Sequence, residues 1–431
     1  MTTPKTAQTQ TPPTGRARFR GLGPGLLAAA TGVGAGDLIA TMVAGAQYGT
    51  LLLWAALLGT VLKLGLGEGV GRWHIASGTT LLDGWRRLGY WATGFFGLYI
   101  VIWGFVYGAT AMSAVGLPLN ALFGGLPVRG WAMIAGVVGL VLVWLQRYHV
   151  FEKFMTVLVL IKFASVVSIA VLVSPDLGNL FNGLVPRLPA GSTVYVLGLI
   201  GGVGGTITMA AYGYWMFAKG WKGTGWLSMM RLDNAVGYVM TGIFVVAMLI
   251  VGSTILFGQD LTESDSGLLT LGTALGERYG DWSRILFLVG FLAVTSTSLL
   301  GVWNGVSLLF ADWTRTIRLP HGRAAEATVD GSVDYRASAA ERSLPFRGYL
   351  LWLTFPPMAL LFLDKPFGLT LVYGVLGSVF MPFLAITLML LLNSRRVERD
   401  GRSGWLSNGL LGASSALFVV LLVSDLAERL G

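Results

Sequence analysis

Long apolar runs separated by short polar segments dominate the chain, and a helix needs about 20 mostly apolar residues to cross the hydrocarbon core of a bilayer. Eleven segments are read as such spans: 22–47, 51–75, 92–120, 130–146, 152–174, 193–218, 235–257, 283–311, 348–363, 367–393 and 405–427. Between them, residues 312–347 (DWTRTIRLPHGRAAEATVDGSVDYRASAAERSLPFR) are polar and without sustained periodicity, which predicts a loop. Residues 258–282 are acidic and predicted to carry a short surface helix. The opening MTTPKTAQTQTPPTGRARFR lacks the apolar core and cleavage site of a secretory signal and reads as a disordered basic tail, residues 1–21.

Composition agrees with the pattern. The 431 residues are 54% hydrophobic and 12% charged, half the charged content of soluble domains, so one helical bundle embedded in lipid replaces the two or three soluble domains that length alone suggests. The net charge of +9 has its source in orientation rather than in nucleic acid. With the N-terminus inside, 22 of the 30 Lys and Arg fall in cytoplasmic segments. The outer segments hold Arg129, Arg187, Arg278, Arg284, Lys365 and Arg429, while Lys63 and Lys162 lie within spans. A missed or invented helix would scramble this bias, so it supports eleven spans, a cytoplasmic N-terminus and an outer C-terminus in a multi-pass protein of the inner (plasma) membrane. Cys is absent and only His74, His149 and His321 are present, which removes thiolate chemistry and leaves no catalytic constellation; an enzyme is not expected.

Two spans are unusual. The first contains TGVGAGDLIAT, Thr31 to Thr41, with three glycines and a carboxylate at bilayer depth, where a charge is costly and faces a protein-lined cavity. The sixth contains GLIGGVGGTITMAAYGYW, Gly198 to Trp215. Glycine weakens a helix by about 1 kcal/mol per residue relative to Ala and frees backbone groups to bind a guest. Interrupted spans five helices apart point to an inverted-repeat transporter with its site at the midplane. The repeats would be about 22–174 and 193–393, with 405–427 an added helix. Alternatively, these glycines only let helices approach closely.

At these residues the chain resembles the Nramp family of metal transporters. The similarity lies in GPGLLAAATGVGAGDLIATMVAGAQYGTLLLWA (Gly23 to Ala55), in YGYW after the sixth-span glycines, and in MPF at Met381 to Phe383. The resemblance implies an all-α membrane protein with a LeuT-type inverted repeat of five plus five helices and an eleventh helix. It also implies a divalent cation as substrate, with no resident cofactor. The functional motifs depart from the family's pattern. Its Asp-Pro-Gly-Asn falls on Gly34, Ala35, Gly36 and Asp37, so an acid stands where the family has Asn and the metal-binding Asp is missing. Its Met-Pro-His falls on Met209, Ala210 and Ala211, so the His is lost. The third span, FFGLYIVIWGFVYGATAMSAVGLPL, has none of the acids that serve proton movement in the family, which argues against proton coupling by that route.

The candidate substrate site is therefore Gly34, Ala35, Gly36 and Asp37, with Asp37 the metal ligand and Thr206, Thr208, Met209 and Tyr212 lining it from the sixth span. Hard oxygen ligands without imidazole suit Mg²⁺, Ca²⁺ or Mn²⁺, and Mg²⁺ keeps part of its water. Each residue also has a structural reading. Asp37 suits an N-cap accepting a backbone N–H near Ala40, the threonines can bond back to their own helix, and Met209 and Tyr212 can be core. Glu68 and Lys162 are candidates for coupling or a gate, against an i,i+4 pair with Arg72 for Glu68 and snorkelling or occupation of a cation site for Lys162. His74 is expected to be wet. An ammonium near Asp37, with Trp103, Tyr107 and Tyr212, would instead suit a small organic solute such as an amino acid. The expected partners are the bilayer and the transported cation or solute.

Overall fold

The computed structural model describes residues 12–145, 148–173, 177–202, 204–258, 267–318, 340–363, 366–394, 397 and 399–430. The described residues are almost entirely helical, with helical segments at each predicted span, and among them seven helices, or eight with one bent pair counted as a span, are long and apolar enough to cross a membrane. The second to fifth spans are Leu53–Ser77, Tyr90–Phe123, Val128–Leu145 and Tyr148–Leu172. The seventh and eighth are Leu227–Ile255 and Asp281–Arg318. The ninth is Leu344–Thr354, tightening into a 3₁₀ segment Pro356–Leu363; the tenth and eleventh are Pro366–Leu392 and Trp405–Leu430. The acidic outer segment carries the expected short helix, Gly267–Tyr279.

Burial sorts these helices into a centre and a rim. The most apolar stretches of the third and eighth spans are 78% and 72% buried, whereas those of the fourth and fifth are 28% and 33% buried and turn Ile134, Val138, Val157 and Leu160 outward. An apolar outer face is what lipid requires. The third and eighth spans therefore form the inner wall of the bundle.

The opening residues differ from expectation. Residues 1–11 lie outside the described residues, but Ala17–Gly21 is a short helix rather than disordered tail. Arg18 anchors it, donating to the backbone oxygen and hydroxyl of Ser228 at 2.7 and 2.5 Å.

Both glycine-rich spans are broken. The first divides into Pro24–Gly32 and Ala35–Tyr48, bent by 56°. The sixth divides into Thr193–Gly202, a single 3₁₀ turn Ile207–Ala211, and Tyr212–Ala218. Between the first two pieces, Gly204 and Gly205 have φ of +79° and +85°, a region that side chains other than Gly enter only with strain. The breaks meet backbone to backbone: a methyl at Gly32 would lie 2.6 Å from the Gly204 oxygen, and one at Gly205 would lie 2.9 Å from the Gly32 Cα. The two readings of the glycines therefore coexist, since the residues that break the helices also let them touch.

Gly205→Ala combines the left-handed penalty of roughly 1–2 kcal/mol with that clash, and is expected to lower the melting temperature in detergent by several degrees. Gly198→Ala, whose added methyl meets nothing nearer than Ala40 at 3.9 Å, is expected to melt like the parent. Thermal unfolding of the two purified variants checks this.

Candidate functional site

Breaking a helix in a membrane releases backbone groups that must find partners inside the protein. The released N–H groups converge on Asp37. This residue is 3% exposed and sits at the third position of its half-helix, with Gly34 as N-cap. Its Oδ2 accepts from the Gly34 N–H at 2.9 Å, closing the helix start, and its Oδ1 accepts from the Gly204 N–H at 2.9 Å. The expected cap near Ala40 is therefore corrected: a carboxylate three residues into a helix reaches back to the N-cap. One side chain thus ties the two breaks together.

The released carbonyls are taken by ammonium groups. Because Gly34 N–H turns to Asp37, it does not return to Ala30, and the Lys162 ammonium donates to the Ala30 and Ala29 oxygens at 3.2 and 3.4 Å. The next carbonyl, Thr31, accepts from the Ser298 hydroxyl at 3.1 Å. In the sixth span the Lys63 ammonium donates to the Gly205 oxygen. Both lysines are fully buried, and both lie in the electrostatic field of Asp37. Neither snorkels, because the helix ends supply partners at depth. In the first span the signs follow the backbone dipoles, with Asp37 at the start of Ala35–Tyr48 and Lys162 at the end of Pro24–Gly32.

A small hollow opens beside this junction. Gly32, Gly34, Gly36 and Asp37 line it from the first span, Tyr107 and Thr110 from the third, Thr295 and Ser298 from the eighth, and Tyr373 from the tenth. About 10 Å³ is open to water centres, room for roughly a single water. The polar lining is oxygen alone. Since Ser298 spends its proton on Thr31, the Tyr107 hydroxyl donates to Ser298 at 2.7 Å. Trp103 stacks on Tyr107 at 4.5 Å between centroids, and Tyr373 meets Tyr107 edge-on at 5.1 Å, so one side of the hollow is an aromatic wall.

The structure does not bring all the expected residues here. Gly34, Gly36 and Asp37 line the hollow, but Thr206, Thr208, Met209 and Tyr212 do not. The left-handed glycines and the 3₁₀ turn redirect them. Thr206 packs toward Gly377 of the tenth span, Thr208 and Met209 are buried in the turn, and the Tyr212 hydroxyl donates to Asp233 at 2.9 Å. Nothing is described of the Ala35 side chain. Lys162 lies at the end of the first half-helix, away from the hollow's lining. Glu68 is remote: it pairs with Arg72 at i,i+4, and with Arg231 and the Ser407 hydroxyl at 3.2 Å each, joining the second, seventh and eleventh spans. His74 is buried rather than wet, with Nε2 3.1 Å from the Trp221 oxygen. His321 and the side chain of His149 lie outside the described residues. Among the described residues, no three His, Cys, Asp or Glu side chains gather as a metal cluster.

A second polar cluster secures the other end of the first half-helix. Asp233 of the seventh span accepts from the Gly23 and Gly25 N–H groups at 2.9 and 2.5 Å as well as from Tyr212. Lys219 pairs with Glu152 of the fifth span at 2.7 Å and donates to the Gly21 and Leu22 oxygens. Tyr214 donates to Asp312 at 2.5 Å, and Arg315 bridges Asp312 and Asp83 at 2.6 and 2.8 Å. The tyrosines of YGYW thus hold the last piece of the sixth span to the seventh and eighth.

The profile of the natural resistance-associated macrophage protein-like (Nramp) proteins matches residues 25–427. The divalent metal cation transporter MntH of Mycobacterium tuberculosis (strain ATCC 25618 / H37Rv) is 27% identical over 311 residues, 67% of this chain and 69% of that protein. The manganese transporter of Eremococcus coleocola, solved with an aromatic bis-isothiourea substituted compound, superposes with a TM-score of 0.73 at 15% identity, covering 100% of this chain and 91% of that one. MhsT, solved in complex with L-phenylalanine, superposes with a TM-score of 0.55 at 13% identity, covering 96% and 99%. The chain therefore belongs to the Nramp family, as an all-α, multi-pass membrane protein with the LeuT-type architecture.

Proposed function

We propose that this protein is a secondary transporter, not an enzyme, that moves a hard, partly hydrated divalent cation such as Mg²⁺ or Mn²⁺ by alternating access. The cation is substrate, and no resident cofactor takes part. The observation that carries this reading is the Asp37 carboxylate in an oxygen-only hollow where the two breaks meet. Each carboxylate oxygen uses one lone pair on a backbone N–H, which leaves capacity for a cation. With one acid and no imidazole, thiolate or thioether in the lining, the chemistry suits a hard ion, which keeps several waters once the hollow widens beyond the single water it has room for in this conformation. The similarity to proteins named for divalent metal and manganese transport supports the same class.

The working frame is two repeats of about 22–174 and 193–393, an added helix at 405–427, a cytoplasmic N-terminus, an outer C-terminus and residence in the plasma membrane. The Asp233 and Lys219 contacts then close the cytoplasmic side. Opening it requires the start of the first half-helix to leave Asp233.

The aromatic wall favours a second reading, a small organic solute such as an amino acid. The hollow's room for about one water in this conformation places it behind the cation. Calorimetric titration with Mg²⁺, Mn²⁺, Ca²⁺ and a panel of amino acids separates the readings, since heat with amino acids alone would overturn cation transport.

In proteoliposomes, Asp37→Asn is expected to reduce Mg²⁺ and Mn²⁺ uptake to background while circular dichroism still reports a helical protein; unchanged uptake would leave Asp37 only its structural tie. Acidifying the outside is expected not to drive accumulation, and a robust proton-driven gradient would contradict this. Asp233→Ala is expected to raise labelling of a cysteine placed at Leu22 by a water-soluble maleimide, a clean readout in a chain with no native Cys.

A further inference from the structure

We infer that the Lys162 ammonium is a resident cation, built into the end of the first half-helix in place of a dissociable monovalent ion, and that its removal creates a binding site for such an ion. This point in the first span is distinct from the Asp37 hollow, so the inference holds for either substrate.

The carboxyl end of a helix carries partial negative charge and unpaired carbonyls, an arrangement that attracts cations. Discontinuous spans of this architecture use unwound carbonyls and half-helix carboxyl ends to coordinate small cations. Here the released Ala30 oxygen, together with Ala29, receives the Lys162 ammonium, and the adjacent Thr31 oxygen receives a hydroxyl from the eighth span. The position is fully buried, and the charge arrives on the fifth span, which packs against the eighth. Lys63 and Asp37 are the other charged groups of the junction. Asp37 supplies the opposite charge in the field of Lys162 without contacting it.

A tethered ammonium cannot dissociate, so the closed end of the half-helix persists whatever the salt. An ion that bound there would stabilise the fold according to its concentration, because anything bound to the folded state alone shifts unfolding by mass action. The lysine makes that dependence unnecessary. It also joins the fifth span to the first, so the half-helix is held without a co-transported ion.

Thermal unfolding in detergent, without divalent ion or solute, tests this apart from substrate identity. With choline as the only added cation, Lys162→Ala is expected to melt several degrees below the parent and to recover saturably with Na⁺, K⁺ or ammonium. The parent is expected to melt at one temperature in all four salts, and Lys162→Arg to behave like the parent. Lys162→Met keeps the bulk of the stem and is expected to show the same saturable recovery if the alanine variant does not fold. A saturable Na⁺ shift in the parent, or salt-independent melting of both neutral variants, would overturn the inference.

Discussion

A single carboxylate accepting from two helix breaks is the constraint from which the rest of the structure follows. A buried N–H without a partner costs on the order of 1–3 kcal/mol, and in lipid no water replaces the partner. By taking the N–H groups of Gly34 and Gly204, Asp37 makes both interruptions tolerable and holds them together. The same bonds fix what else is needed. With Gly34 turned to the acid, Ala30 loses its helical donor and Lys162 supplies one, while Gly205, beyond the second bond, receives Lys63. One anion and two cations are therefore the polar filling of two unwound segments, the carboxylate on released N–H groups and the ammonium groups on backbone carbonyls.

This filling shapes what the hollow can hold. Asp37 is the one charged side chain among the residues that line the space for about one water, with the Lys63 and Lys162 ammonium groups held on carbonyls outside that lining, so a bare dication arriving there gains one carboxylate. Stripping such an ion of water would cost far more than this site returns, because desolvation of a charge is repaid only by close, well-paired ligands. An ion that keeps part of its shell avoids that cost and uses the surrounding oxygens through water. On the cation reading proposed above, the departure from a ligand-rich metal site thus changes the kind of ion that would fit.

Much of the architecture was legible in the sequence, because length and hydropathy alone define a span in lipid and because glycine clusters and a buried acid stand out against leucine. The site was legible in the first span, where the residues that break the helix are also those that line the hollow. It was not legible in the sixth. There, two left-handed glycines and a 3₁₀ turn change the face that Thr206, Thr208, Met209 and Tyr212 present, and no apolar periodicity records such a rotation. The third, eighth and tenth spans contribute Tyr107, Ser298 and Tyr373 across 191 residues and more, a placement that local pattern does not encode. Asp233 escaped notice because hydropathy starts the seventh span at 235, whereas the helix begins at Leu227 and buries the acid inside the bundle.

Under the transport proposed above, the first half-helix is the element that these contacts would move. Its nine residues extend roughly 13 Å and form a short strut with a polar tie at each end. Asp233 holds its opening N–H groups, and Lys162 and Ser298 hold its closing carbonyls. Packed helix interfaces are not continuously deformable and hydrogen bonds to buried charges are either made or broken, so such a strut has discrete positions. The two ties differ in kind. The closing one is made by Lys162 at the break in the first span, whereas the opening one shares the equally buried Asp233 with Tyr212 of the sixth span and lies near the Lys219–Glu152 pair. Under the alternating access proposed above, it is the tie at Asp233 that releases, and the strut then pivots about the glycines next to the hollow, which would couple occupation of that hollow to opening of the path on one side of the membrane.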